Sequence, residues 1–240
     1  MAKDKAKAKT ETVKENSSSR QGILSSLSLG AVIAELVGTF ALTITFLNTS
    51  GNAIVAALAV LILVLMLSKL TGGYFNPAIT IGLLASKQIS WVKAVGYIVA
   101  QILGAMLAVI VAQQFMAGTT DLYGQEAEVY SVIVTGDWKP FFGELIGGAI
   151  FGLGVAGAIF TKKEDFAGAF TIGGSYLIAL IVATSGSLAI INPALALASG
   201  ALDTSNLWGL WSYAVAPIIG ASIGMLLYKL LQSDIASSKK

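Results

Sequence analysis

The sequence predicts an all-α membrane protein in which six transmembrane helices and two re-entrant half-helices form an inverted repeat. Three observations predict it. Of the 240 residues, 55% are hydrophobic and 12% charged, with a mean hydropathy of +0.79, whereas a soluble domain carries about 25% charged residues. Several stretches reach the length of about 20 mostly apolar residues that a bilayer requires. The tripeptide Asn-Pro-Ala occurs twice, at Asn76-Pro77-Ala78 and Asn192-Pro193-Ala194, and each copy opens an apolar run too short to span.

Taken in order, residues 1–26 are rich in Lys, Ala, Glu and Ser, too poor in apolar surface to order themselves, and read as a disordered cytoplasmic tail. They are not a secretory signal peptide, because the next apolar segment is of full spanning length and no small-residue cleavage site stands out. One membrane domain over 27–232 follows, then a short cytoplasmic tail at 233–240. The expected spans are 28–48, 52–70, 91–113, 141–161, 168–186 and 207–231. The short segments 77–86 and 193–202 lie between the second and third spans and between the fifth and sixth. Asn-Pro marks a helix start: Asn caps, and Pro fills the first turn, where its missing N–H costs nothing. Two spans, a half-helix and a span, then the same again, make the second half enter from the opposite side and set the half-helices head to head.

The halves also echo each other locally. Ala34-Glu35-Leu36-Val37-Gly38 matches Gly143-Glu144-Leu145-Ile146-Gly147, and Gln101-Ile102-Leu103-Gly104-Ala105 matches Pro217-Ile218-Ile219-Gly220-Ala221. With six spans, every one of the 15 Lys and Arg residues except Lys139 falls on one side, which the positive-inside rule makes cytoplasmic, both termini included.

Composition excludes much chemistry. There is no Cys and no His, so disulfides, thiol chemistry, the commonest metal ligand and the commonest general base are absent. No enzyme and no cofactor or metal is expected, and no basic patch suggests nucleic acid. Asn76 and Asn192, read singly, are turn markers. Paired in an inverted repeat, they bring two helix N-termini, each with about half a positive charge, to mid-membrane. A neutral solute is held there by amide donors while a cation meets a barrier. Glu35 and Glu144 are intramembrane carboxyls, which by default suggest a proton relay. The better reading is scaffolding, because re-entrant loops leave backbone N–H groups that the protein itself must satisfy. Gln101 serves as a similar polar anchor. Gly143 and Gly147, Gly148 and Gly152, and Gly220 and Gly224 have the four-residue spacing of close helix packing. Trp91, Trp138, Trp208 and Trp211 read as interface anchors.

These residues resemble the aquaporin, or major intrinsic protein, family over about 30–231. Thr71-Gly72-Gly73-Tyr74-Phe75-Asn76-Pro77-Ala78-Ile79-Thr80 looks like its first signature loop, and Trp211-Ser212-Tyr213-Ala214-Val215-Ala216-Pro217-Ile218-Ile219-Gly220-Ala221 like its last span. The resemblance implies a passive channel in the plasma or inner membrane and a homotetramer with one pore per subunit. It also shows a departure. Most members carry Arg directly after the second Asn-Pro-Ala, at the narrowest point; here that position is Leu195. Counting from the asparagines places the rest of the ring at Ala56, Leu180 and Ala189. Tyr74 stands where the family often has His.

The expected function is therefore a channel for water or small neutral solutes such as glycerol. An apolar ring offers water no replacement for its hydrogen bonds and can close by dewetting, whereas its small Ala side chains leave room for larger neutral solutes. The alternatives are an ion-conducting channel, in which Glu35 or Glu144 takes part, and a closed-pore member with a structural role.

Overall fold

The computed structural model describes residues 27–116, 134, 136–202 and 206–238. The tail expected over 1–26 and residues 117–133 of the acidic outer loop lie outside the described residues. The first half comprises α1 (Leu29–Asn48), α2 (Ala53–Thr71), α3 (Pro77–Ala85) and α4 (Trp91–Met116). The second comprises α5 (Lys139–Ile159), α6 (Asp165–Ala183), α7 (Pro193–Ala198) and α8 (Leu207–Leu210), which runs through a π-helical turn, Trp211–Val215, into α9 (Ala216–Ser237). Among the described residues, 6 helices are long and apolar enough to cross a membrane; α3 and α7, of 9 and 6 residues, are the half-helices.

Local chemistry sets the ends. Asn52 caps α2 by accepting from the N–H groups of Ile54 and Val55 at 3.1 Å each. Gly72, at φ +106°, ends the same helix in the left-handed conformation that glycine adopts without cost. α6 begins at Asp165, earlier than expected: Glu164 and Asp165 depress the hydropathy, but acidic side chains suit a helix start. α7 stops at Ala198 rather than 202, because Gly200 takes φ +77°. α9 continues to Ser237, past the apolar run, since Gln232, Ser233 and Asp234 carry no helix breaker. The π-helical turn precedes Pro217, which has no N–H to give the preceding turn; the N–H of Ala216 reaches back to the carbonyl of Trp211 instead.

The packing interlocks the halves. α1 packs on α4 and α2, and α5 packs on α9 and α6. Half-helix α3 lies chiefly against α9, and half-helix α7 against α4, so each is seated on the last span of the opposite half. The repeated glycines mark the crossings. A Cβ on Gly104 would strike the backbone of Leu36 and Phe40, and one on Gly220 would strike the backbone of Leu145 and Ala149, so α1/α4 and α5/α9 touch main chain to main chain at matching positions.

Candidate functional site

Two buried carboxyls tie down the two loops that lead into the half-helices. Glu35, fully buried on α1, accepts through Oε1 from the Thr71 hydroxyl at 2.5 Å and the Tyr74 N–H at 3.1 Å. Its Oε2 accepts from the Phe75 N–H at 2.8 Å and the Gln101 amide at 2.7 Å. Glu144, fully buried on α5, repeats the pattern: Oε1 accepts from Ser187 Oγ at 2.8 Å and the Ile190 N–H at 2.9 Å, and Oε2 from the Ile191 N–H at 2.6 Å. Each hydroxyl in turn accepts from a loop N–H, Thr71 from Gly73 at 2.7 Å and Ser187 from Ala189 at 2.9 Å. These are the backbone donors that no helix satisfies.

The two anchors differ in one respect. Gln101 Nε2 bonds Glu35 and also Thr80 Oγ1, at 2.9 Å, linking α4 to the half-helix α3. The matching positions in the second half, Pro217 and Ala196, have no side-chain polar group. Glu144 therefore holds its loop with one donor fewer.

The asparagines complete the crossing. Asn76 Oδ1 caps α3 by accepting from the Ala78 N–H at 2.8 Å, while its Nδ2 donates to the carbonyl of Ile191 in the other loop at 2.8 Å. Asn192 Oδ1 caps α7 through the Ala194 N–H at 3.0 Å, and its Nδ2 donates to the carbonyl of Phe75 at 3.0 Å. Each asparagine thus binds the residue that precedes the other. An amide nitrogen carries two hydrogens, so each retains one beyond this bond. Pro77 and Pro193 occupy the first helical turns, and Ala78 and Ala194 are fully buried behind them.

This geometry asks for unusual backbone. Phe75 sits at φ +47° and Ile191 at φ +50°, a conformation costly for a bulky or β-branched residue. Room for their side chains comes from α1 and α5. A Cβ on Gly38 would fall among the ring atoms of Phe75, and one on Gly147 would meet Ile191 Cδ1 at 2.5 Å. The expectation for Gly147 was helix packing alone; the loop seat is its second role.

The other expected residues are all buried in the core. Ala56 on α2, Leu180 on α6, Ala189 in the second loop and Leu195 in the first turn of α7 belong to one buried cluster, at 0%, 1%, 5% and 0% exposure. Ala189 takes φ +53°, matching Gly73 at φ +73° in the first loop. No ring member carries a side-chain polar group. At the far end of α3, Lys229 Nζ from α9 donates to the carbonyl of Ser86 at 3.2 Å, placing a cation at the negative end of the half-helix dipole.

Sequence reasoning missed Thr71 and Ser187 as relays, and also three tyrosines. Tyr97 donates to the Thr71 carbonyl at 3.1 Å, Tyr176 donates to the Ile190 carbonyl at 2.9 Å, and Tyr213 accepts from the Leu188 N–H at 3.4 Å. Tyr97 and Tyr213 are separated by the same number of residues as the two asparagines, and extending the repeat alignment by four positions from Gln101 and Pro217 would have found them.

Comparison with known proteins agrees with this architecture. The family described as Major intrinsic protein matches residues 22–228. Aquaporin NIP3-1 of Arabidopsis thaliana is 31% identical, over 84% of this chain and 67% of its own length. Glycerol uptake facilitator protein-like 6 of Lactiplantibacillus plantarum is 29% identical, over 84% of this chain and 98% of its own. Among solved structures, that of the aquaglyceroporin from Plasmodium falciparum superposes with a TM-score of 0.68 at 22% identity, covering 87% of this chain and 98% of that one.

Proposed function

The chain belongs to the major intrinsic protein family, and from that premise we propose that Asn76, Pro77, Ala78, Asn192, Pro193 and Ala194 line the centre of its solute pathway. It is a multi-pass membrane protein and a passive channel for water and small neutral solutes; the family is one of channels, not enzymes. The observation that carries the site assignment is the reciprocal crossing of the two asparagine amides onto Ile191 and Phe75. In this reading the two helix N-termini meet at the crossing, and the second hydrogen of each amide is left to serve a passing solute. A solute oxygen accepts from them in turn, and a cation meets two positive helix ends. Glu35 and Glu144 hold the loops and take no part in transfer.

The selective ring in this reading is Ala56, Leu180, Ala189 and Leu195. With exposures of 0 to 5%, it presents almost no surface to a water-sized sphere, which favours a narrow apolar barrier over a wide mouth. Water crossing it loses hydrogen bonds without replacement, so water conduction is low and poorly selective against other small neutral solutes. The same observation supports a second reading, a ring that stays closed by dewetting until it widens.

The chain is further read as a homotetramer in the plasma or inner membrane, with both termini cytoplasmic and the channel domain over 27–232. The cation distribution supports the orientation. The apolar notch on the α2/α6 face, lined by Leu58, Phe170, Gly173 and Leu177, offers a surface for subunit contact.

Stopped-flow light scattering on proteoliposomes tests the ring. An impermeant osmolyte gradient reports water and a glycerol gradient reports the solute, with Leu195→Arg alongside. The expected result is slow water flow that Leu195→Arg raises. Fast water flow in the unaltered protein with glycerol excluded would contradict the assignment.

A further inference from the structure

The helix faces that lead away from the ring end in a charged pocket. On α2, one-turn steps from Ala56 pass Val60 and Val64 to Ser68; on α6, the same steps from Leu180 pass Tyr176 and Ile172 to Gly168. Val64, Ser68, Gly168 and Ile172 line one cavity of about 160 Å³, closed on its third side by Ala158 and Ile159 at the end of α5. Gly72, in the loop that leads to Asn76, belongs to the same wall. On the reading of the passage given above, this is its cytoplasmic mouth. Val64 and Ile172 are buried, whereas Leu58 and Phe170, in the notch offered to a neighbouring subunit, are 54% and 59% exposed. The pocket therefore lies on a different side of α2 and α6 from the subunit contact.

Lys162 and Lys163 stand on its rim. Asp165 is also there, but Lys69 meets it at 2.6 Å. Three lysines against Glu164 and Asp165 leave one net positive charge. Lys163 Nζ is held by Thr171 Oγ1 at 3.0 Å, whose own hydrogen goes to the Ala167 carbonyl at 2.7 Å, so the ammonium group keeps two of its three hydrogens. Lys162 sits against backbone preference. Its N–H reaches the Ile159 carbonyl at 3.2 Å and that of Lys163 reaches the Ala158 carbonyl at 3.1 Å, the paired bonds that close a helix around a left-handed residue, usually glycine. Lys162 takes that place at φ +50°, whereas Gly200 takes the left-handed place after α7. A side chain retained in such a conformation is a reason to ask what it binds. We propose that the pocket takes a small phosphomonoester from the cytoplasm, with its phosphate against Lys162 and Lys163 and its short carbon limb toward Ser68 and Ile159, and that the bound anion plugs the passage. A monoester carries nearly two negative charges at neutral pH, which suits two ammonium groups, and the apolar ring beyond bars it from crossing. The plug rests on the channel reading; the binding site does not.

Isothermal titration calorimetry on the full chain in mild detergent tests the site, with glycerol 3-phosphate as the probe and glycerol as its uncharged control. The expected result is one saturable site per chain for the ester and none for glycerol. Lys163→Gln and Lys162→Gly should each weaken binding about tenfold, the worth of one hydrogen bond to a charged group. Lys162→Gly should also raise the thermal unfolding temperature, because glycine relieves the left-handed backbone, so weaker binding there cannot be a loss of fold. A lysine also suits the negative end of a helix; wild-type affinity in Lys162→Gly would leave it that role alone and overturn the site, as would equal binding of glycerol. Glycerol flux into proteoliposomes that hold the ester on both sides tests the plug. Flux should fall to the level of empty vesicles, with the midpoint moved to higher ester concentration in Lys162→Gly. Binding without inhibition would overturn the plug. Inhibition by dioleoyl phosphatidic acid in the bilayer, with none by the soluble ester, would overturn the soluble occupant and give the phosphate to a lipid headgroup. Calorimetry needs no conduction, so a chain that conducts nothing would sink the channel reading and leave the site standing.

Discussion

The ring of Phe75 occupies the space that a Cβ on Gly38 would need. Phe75 cannot swing aside easily, because its backbone is held at φ +47° and its N–H is bound to Glu35 at 2.8 Å. Gly38→Ala should therefore cost about 1–3 kcal/mol, the usual range for overpacking, and displace the first loop. Gly147→Ala should cost less, because its nearest obstacle is the mobile end of Ile191. Thermal unfolding in detergent would rank the two, and an equal or reversed order would contradict this account of the loop seats.

Asn192→Asp separates capping from donation. The remaining oxygen still accepts from the Ala194 N–H, but the donor to the Phe75 carbonyl is replaced by a carboxylate. The expected outcome is a folded protein with reduced neutral-solute flux and a new cation conductance, since a negative group now faces the passage. Planar-bilayer recording measures it; a folded variant that stays electrically silent would show that the asparagine is remote from the pathway.

The carboxyl anchors predict an asymmetry. Glu144→Gln puts a donor where three donors already point, leaving at least one buried N–H or hydroxyl without an acceptor at a cost of about 1–3 kcal/mol. Gln101→Leu removes one of four donors to Glu35 and leaves its loop bonds in place, so it should cost less, about 1 kcal/mol. Glycerol flux should fail in the first and persist in the second. Comparable flux in both would mean that the second loop does not depend on its carboxyl.

Lys229→Met removes the cation from the carbonyl end of α3. The loss should be about 0.3–1 kcal/mol at low ionic strength and should shrink as salt screens it. Denaturation at two salt concentrations checks this; a salt-independent loss would point to packing of the lysine stem instead.

Much of this was legible because the repeat writes its key groups twice. Glu35 and Glu144 stand at matching places in the two halves, and composition marks the spans. What escaped was polar chemistry carried by small residues. Thr71 and Ser187 are different residue types doing one job, so identity between the halves does not mark them. The π-helical turn at Trp211–Val215 has no periodicity of its own; its trace in the sequence is Pro217. The ends of α6 and α9 were misplaced because hydropathy reports where lipid stops, whereas a helix stops only where its backbone hydrogen bonds do.

The seating of α3 on α9 and of α7 on α4 bears on how such a chain could have begun. One half alone has a loop carbonyl, at Phe75 or Ile191, that no asparagine of its own satisfies, and a half-helix without the span on which it chiefly rests. An ancestral half could have worked only as a pair of identical chains inserted in opposite senses. Fusion by gene duplication would then have frozen that arrangement, leaving each half free to acquire the opposite distribution of lysines that its fixed orientation demands.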